Sequence, residues 1–462
     1  MDERAIVLED TIIAVATPPG FGGLGVVRIS GKRALAVAGR VFEAKSGGKR
    51  PFPVRRPIFG TIRDPERRAA LDEAFLTYFK APRSYTREDV VELSVHGSPA
   101  VLESILRLGA KAGARLARPG EFTLRAHLNG RLDIIQAEAV NDLIRSVSLT
   151  QARISSRQLG GSLSRRIARL RGRLISLLAA VEAGLEFPEE GLRSGPAAWR
   201  RSLSAIVSDI DRLVLSHEAG RALSQGVTLA ITGRTNVGKS TLFNALLEED
   251  RAIVTPFPGT TRDFLREELV IDGIVFHLVD MAGLGRAAHP VEKRGIARGQ
   301  RIAREADGLL LVIDASRAWS EEDERLVRRY LSRNAILVMN KTDLPGKVDR
   351  KKVRAIAGEN PIVEVSALRG KNIDALRGAI RARFAPRTPE TEEVILHARQ
   401  QNCLQEALGA LRRAEKLLAK RHSEEVPAEE IRAAISFIGE LTGEVRAEEV
   451  LEEIFGRFCV GK

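Results

Sequence analysis

Cysteine is nearly missing from this chain, with Cys403 and Cys459 the two thiols in 462 residues. Two thiols cannot staple a disulfide scaffold, and such low usage fits a reducing compartment. No run of 18 apolar residues occurs, and the opening Met1-Asp-Glu-Arg4 is charged, with no signal-peptide core behind it. Membrane spanning and secretion are not expected, and a cytoplasmic protein is. Internal repeats and low-complexity tracts are also missing. In one place acidic residues are missing too: Leu143–Val181 has none, yet carries eight arginines from Arg145 to Arg173.

What is present is globular composition, 44% hydrophobic and 29% charged, which argues against disorder. The length corresponds to about three domains at ~150 residues each. Lys and Arg number 73 against 60 acids, a formal net charge of +13. That suits an acidic partner, but charge alone does not select nucleic acid. Much of the arginine cluster falls on the polar side of a predicted helix. It reads equally as a solvated face and as a track for phosphates.

The period of the apolar residues changes along the chain. Residues 1–120 alternate short strand-like runs (11–16, 26–29, 74–79, 90–95) with Gly/Pro punctuation and one helical stretch at 101–108, a small α+β domain. From 121 to 225 the spacing is helical. Ile154, Leu159, Leu163, Ile167, Leu170, Leu174, Leu178 and Val181 make one long stripe, with Gly160-Gly161 a point of weakness. Another helix is expected near 197–219. Residues 226–383 switch to strand-like runs at 227–232, 274–279, 309–313 and 335–339, alternating with helices, the pattern of a parallel α/β sheet. After a linker near 385–389, residues 384–462 are helical again. The predicted architecture is multidomain: an N-terminal α+β domain, then a helical domain into which a P-loop, Ras-like α/β domain is inserted.

Gly233-Arg-Thr-Asn236-Val237-Gly238-Lys239-Ser240-Thr241 matches G-x-x-x-x-G-K-[ST], with a strand-like run before it and a helical one after. Glycines let backbone N–H groups approach phosphates, Lys239 reaches the β- and γ-phosphates, and the Ser240 hydroxyl binds Mg²⁺. Three more elements follow in the order GTPases use them. Thr260 and Thr261 offer a hydroxyl for Mg²⁺ and the γ-phosphate. Asp280-Met-Ala-Gly283 offers a carboxylate near the metal and a glycine N–H near the γ-phosphate. Asn340-Lys341-Thr-Asp343 offers an aspartate that accepts from guanine N1–H and N2–H₂, with Ser366 and Ala367 supporting the base from a later loop. Guanine specificity follows from the four together. Leu284 stands where small GTPases carry the glutamine that orients water, so another polar group must do that work.

Gly20, Gly22 and Gly25 satisfy G-x-G-x-x-G, but the following Val26-Val-Arg-Ile-Ser is strand-like. A dinucleotide site needs a helix N-terminus there, so that fold is rejected.

Taken with Ala16-Thr-Pro-Pro-Gly20, Arg118-Pro-Gly-Glu-Phe-Thr-Leu-Arg-Ala126, Asn129-Gly-Arg-Leu-Asp133, Gln136-Ala-Glu-Ala139, Gly259-Thr-Thr-Arg-Asp263 and the terminal Phe458-Cys-Val-Gly-Lys462, the chain resembles the MnmE (TrmE) family of tRNA-modifying GTPases over essentially its full length. The resemblance implies a homodimer with a potassium-activated G domain. Asn236, Thr255, Phe257 and Thr260 would ligate K⁺, and Glu292 would position the attacking water. Thr255 and Thr260 thereby join the nucleotide site. It implies a formyl-tetrahydrofolate donor (5-formyl-tetrahydrofolate or a related folate) held by Arg28, Glu92, Arg131 and Lys462. An FAD-dependent partner of the MnmG (GidA) type would help to build an aminomethyl or carboxymethylaminomethyl group at C5 of the wobble uridine of certain tRNAs. Cys459 has two readings, a buried small apolar residue and a catalytic thiol facing the folate pocket. Cys403 is expected in the core. Four residues depart from the family pattern: Met281 after Asp280, Pro256 and Pro258 in the loop over K⁺, and Arg87 where glycine is frequent. Arg131 replaces a more usual lysine. The rival is a ribosome-assembly GTPase of the Era or EngA type, which shares the G domain and the basic charge but needs neither the folate residues nor the terminal block.

Overall fold

The computed structural model describes residues 9–45, 52–67, 69–186, 195–247, 266–280, 306–330, 334–385, 393–419, 425–443, 454–456, 458 and 461. The chain divides into two compact units, one of 1–141, 156–206 and 406–462, the other of 142–155 and 207–405.

In the first unit, alternating apolar residues build a seven-stranded sheet in the order β3-β4-β5-β6-β2-β1-β7. Its strands are β1 (Ile12–Val15), β2 (Gly22–Ser30), β3 (Phe42–Ala44), β4 (Ile58–Asp64), β5 (Ala69–Phe79), β6 (Val90–Gly97) and β7 (Arg115–Leu116). Most neighbours are antiparallel, while β1 and β7 run parallel. Two helices, α1 (Ala34–Val41) and α2 (Pro99–Lys111), bury Val37, Val41, Leu102 and Ile105 with the sheet's Val27, Ile29, Leu76 and Leu93. The Gly25-to-Val26 step lies inside β2, so the glycine triplet feeds a strand. The strand reading there was sound.

Helices α3 (Glu121–Leu128), α4 (Ile134–Arg145), α5 (Leu149–Leu159) and α6 (Ser162–Glu186) follow. The expected stripe is divided between α5 and α6. Gly161 sits at φ +79°, a conformation that ends one helix and that glycine adopts at little cost. On α6 the buried set is Leu163, Ile167, Leu170, Leu174, Leu177 and Val181, spaced by fours and threes, so Leu177 takes the place expected of Leu178. This face packs along α13 (Glu425–Thr442). The preceding helices are α7 (Pro196–Gln225), longer at both ends than expected, and α12 (Ala398–Ala419). Cys403, expected in the core, is only half-buried on α12.

The second unit carries a six-stranded sheet in the order β13-β12-β11-β8-β10-β9. Its strands are β8 (Val227–Thr232), β9 (Arg266–Ile271), β10 (Ile274–Asp280), β11 (Gly308–Asp314), β12 (Ala335–Asn340) and β13 (Ile362–Glu364). Only β9 is antiparallel to its neighbour. Leu310 and Val312 join Leu242 and Leu246 of α8 (Lys239–Leu247) and Leu376 and Ile380 of α11 (Ile373–Phe384). Leu311 and Ile313 instead join Val327 of α9 (Glu321–Tyr330) and Val353 of α10 (Arg350–Ala357). Consecutive residues therefore enter separate clusters, which explains why β11 and β12 are apolar throughout rather than alternating. All the parallel strands end at one edge, with β8 flanked by β10 and β11. That is the crevice where open α/β sheets bind ligands.

Candidate functional site

Residues 233–238 connect β8 to α8 at that edge. Gly238 has φ +93°, and a Cβ on it would lie 2.3 Å from Asn340 Nδ2, so the close approach of two loops requires glycine here. Asn236 is also left-handed, at φ +63°. The buried Lys239 donates from Nζ to the carbonyls of Gly233 at 2.9 Å and Arg234 at 2.5 Å. Asp280 ends β10 opposite Ile231 of β8, which brings its backbone to the strand feeding the phosphate loop.

The segment after β12 is joined directly to that loop. Asn340, 2% exposed, donates from Nδ2 to Val237 O at 3.0 Å and accepts from Ala367 N at 3.0 Å. Lys341, at φ +66°, donates from Nζ to Asn236 O and to Asp314 Oδ2, both at 2.6 Å. Asp343 Oδ1 accepts from Ser366 Oγ at 2.6 Å. That hydrogen bond is the main reason its carboxyl sits below the usual aspartate range, so the group is an acceptor at neutral pH. The structure thus brings Val237, Asn340, Asp343, Ser366 and Ala367 together. Ser240 and Thr241 open α8. Thr255, Phe257, Thr260, Thr261, Gly283 and Glu292 lie outside the described residues.

A second cluster lies in the first unit. Arg28 on β2 is in register with Glu92 on β6, and its Nε and Nη2 donate to Oε1 at 2.9 and 2.8 Å. Its Nη1 is buried and has no partner among the described residues. The Tyr85 ring lies between two guanidiniums, Arg28 at 5.4 Å and Arg131 at 4.6 Å, while Arg28 also overlies Phe122 at 5.7 Å. Burial pushes the Tyr85 phenol up, against opposing effects of the Thr123 hydrogen bond and the two arginines. Arg131 Nη1 donates to Tyr85 O at 2.8 Å. Arg87 has φ +60°, the left-handed region that glycine enters at least cost. Cys459 and Lys462 lie outside the described residues. Their neighbour Gly461 is packed so closely that a Cβ would lie 2.1 Å from Val15 O, and Phe455 and Phe458 bury against Ala126 and Ile134. Gly461 therefore packs against the sheet that carries Arg28.

Family models fix the kinship. The model of the TrmE N-terminus, described as a GTP-binding protein, matches residues 11–131, and that of the MnmE helical domain matches residues 134–459. The chain belongs to the MnmE (TrmE) family. A tRNA modification GTPase MnmE of Koribacter versatilis is 41% identical over 458 residues, covering 98% of this chain and 100% of that protein. One of Aquifex aeolicus is 41% identical over 460 residues at the same coverages. One of Synechococcus is 42% identical over 458 residues, covering 98% and 99%.

Two parts of this MnmE-family site escaped sequence reasoning. Asp314, which anchors Lys341, also accepts from Ser316 N at 3.0 Å and Ser316 Oγ at 2.6 Å. Burial raises its carboxyl, but the Lys341 and Ser316 hydrogen bonds outweigh that and hold it below the ordinary range. A lone charge ending the apolar run Gly308-Leu-Leu-Leu-Val-Ile-Asp314 was the available signal. Arg234, inside the phosphate loop, pairs with Glu322 at 2.8 Å and Asp323 at 3.4 Å; nothing local in the sequence announces that contact.

Proposed function

We propose that this chain is a GTP hydrolase acting in tRNA modification. The observation that carries the nucleotide half is the direct tie between the guanine-reading segment and the phosphate loop, Asn340 Nδ2 to Val237 O. Family membership carries the tRNA half. Lys239 would exchange its two loop carbonyls for β- and γ-phosphate oxygens, while Ser240 and Thr261 hold Mg²⁺ beside Asp280. Gly283 would donate its N–H to the γ-phosphate. Bound there, Mg²⁺ would offset charge developing between the phosphates.

The finer reading extends the resemblance. Asn236, Thr255, Phe257 and Thr260 would hold K⁺, which supplies positive charge where other GTPases use an arginine. Glu292 would orient the attacking water. The unfilled Nη1 of Arg28 beside Glu92 suits a folate: a guanidinium can hold a carboxylate, and Glu92 can accept from a pterin amino group. Arg131 and Lys462 would complete that pocket, and Cys459 would face it. A formyl-tetrahydrofolate would supply the one-carbon unit and FAD on an MnmG-type partner the redox chemistry. A cytoplasmic homodimer, with domains at 1–120, 121–225 plus 384–462, and 226–383, is the assembly proposed.

Nucleoside analysis of tRNA from a strain lacking the gene tests the main claim. Loss of the aminomethyl-type modification at wobble uridine is expected; intact modification with defective ribosome assembly would favour the Era-like alternative. Glu292→Ala is expected to lower GTP turnover about 100-fold with little change in nucleotide affinity. Wild-type turnover should be higher in KCl than in NaCl. Equal rates in the two salts would remove the cation from the mechanism.

A further inference from the structure

Between α6 and the start of α7 runs a groove of about 740 Å³. It is lined by small residues, Gly172, Ser176 and Ala198 among them, by the buried Leu177 and Ile206, and by Arg169 and Arg173 from α6 and Arg201 from α7. Ser202 adds a hydroxyl beside Arg201. Among the described residues, Arg169 makes no ion pair and spends only Nε, on Arg165 O at 3.4 Å. Arg201 has no hydrogen-bond or ionic partner there. Two exposed guanidiniums are thus available from opposite walls.

The inner wall also holds a buried donor that no described residue satisfies. Trp199 lines the groove and is 4% exposed, yet its indole N–H has no acceptor among the described residues. Its ring is pinned: a Cβ on Gly184 would lie 2.5 Å from Trp199 Cη2. A buried donor without an acceptor costs free energy unless something supplied from outside satisfies it. Trp199 also sits in the first turn of α7, which has no acidic residue. The positive end of that helix therefore adds to the arginines.

We propose that this groove holds a stretch of RNA backbone, which gives the tRNA of the proposed function a binding surface on this chain. Three features favour a strand of phosphates. No acid interrupts the chain from Leu143 to Val181, so nothing on α6 short of Glu182 repels an anion. Arg169 of α6 and Arg201 of α7 line the groove from its two helices, so a strand laid along it meets a cation from either side. Among the described residues the wall's one aromatic ring is buried and leaves no platform for bases, so contacts fall on the backbone and are independent of sequence.

Full-length protein is titrated against a fluorescent, unmodified tRNA transcript at NaCl concentrations from about 50 to 200 mM. The Arg169→Gln/Arg201→Gln double variant is expected to raise Kd about tenfold or more, and to lower the slope of log affinity against log salt by about 1.4. Trp199→Phe keeps the ring and deletes the donor. It should raise Kd about threefold with the salt slope unchanged. RNA-free GTP turnover should match wild type in both. Wild-type Kd and slope in the double variant would overturn the proposal, as would failure of the unaltered protein to bind the transcript. Loss of a co-purifying acidic protein by the double variant with RNA affinity intact would overturn it too, assigning the groove to a protein helix. The inference rests on the tRNA reading but falls separately from it. Normal wobble-uridine modification in the deletion strain would end that reading, whereas unchanged binding by the variants would end only the groove's role.

Discussion

Asp343→Asn is expected to lower kcat/KM for GTP by about 10⁴-fold and to make XTP the better substrate. The size follows from hydrogen-bond polarity. Guanine presents two donors, N1–H and N2–H₂, to one carboxylate, and an amide must turn an NH₂ group toward one of them. Xanthine has a carbonyl at position 2, which accepts from that NH₂. A site built for polar groups rejects a mismatched base strongly because its buried partners are left unpaired. Here the carboxylate is already oriented by Ser366 Oγ at 2.6 Å, and its lowered pKa keeps it an acceptor at neutral pH. The serine hydroxyl can still donate to the amide oxygen of the variant, so the loop should keep its shape. Turnover of GTP and XTP, measured side by side at fixed Mg²⁺, decides the matter. Retained preference for GTP would show that Asp343 does not read the base.

How much of this was legible in the sequence depends on the range of the interaction. The phosphate loop and guanine segment were legible because each packs its chemistry into a few adjacent residues whose spacing is dictated by the ligand. Strands β8, β10, β11 and β12 were legible because burial on two faces leaves them largely apolar, with Thr228 and His277 the interior exceptions. Neither β9 nor β13 was found. Arg266-Glu-Glu-Leu-Val-Ile271 opens with three charges at a sheet edge, and β13 has three residues, all half-buried. Nor was α1 recognised, a short helix of eight residues with no side-chain N-cap bond. Its formation depends on burial against the sheet rather than on local signals.

The candidate folate cluster shows the same division. Arg28 was singled out only through resemblance, since a strand arginine has no intrinsic signal. What the sequence could not display is the cross-strand register that sets Glu92 opposite it, or Tyr85 lying between Arg28 and Arg131. Those contacts span 64 and 46 residues. Asp314 and Lys341 are a further case: their bond joins the ends of neighbouring strands, and only the parallel pairing of β11 with β12 makes it predictable.

The largest stability effect is expected at Arg125, whose side chain is fully buried. Its Nη1 donates to Asp10 O at 2.9 Å and approaches both Glu88 oxygens at 3.3 Å. Nη2 donates to Asp10 Oδ1 at 2.5 Å and Glu121 Oε1 at 3.0 Å. Arg115 shares two of these acids, reaching Asp10 Oδ2 and Glu121 Oε1 at 2.6 Å each. Three carboxylates therefore face two guanidiniums. Arg125→Met fills similar space but leaves the buried Glu121 short of one cation, at a cost of about 3–5 kcal/mol. Because other parts of the chain would mask one domain's transition, hydrogen exchange in β1 and α3 is the suitable readout. The pH dependence has a definite sign. Burial raises the carboxyls of Asp10 and Glu121, but the arginine contacts outweigh it and leave both below their ordinary values. Their stabilisation is thus complete above the unfolded carboxylate pKa of about 4 and fades as pH falls through the lower folded values. The variant's deficit should accordingly be full at neutral pH and shrink in acid, where the stranded carboxylates take up protons. A second change, Glu121→Gln, should restore part of the loss at neutral pH by lowering the excess negative charge left around Arg115. A deficit of the same size in acid, or no recovery from Glu121→Gln, would mean that Arg125 stabilises this domain by packing alone.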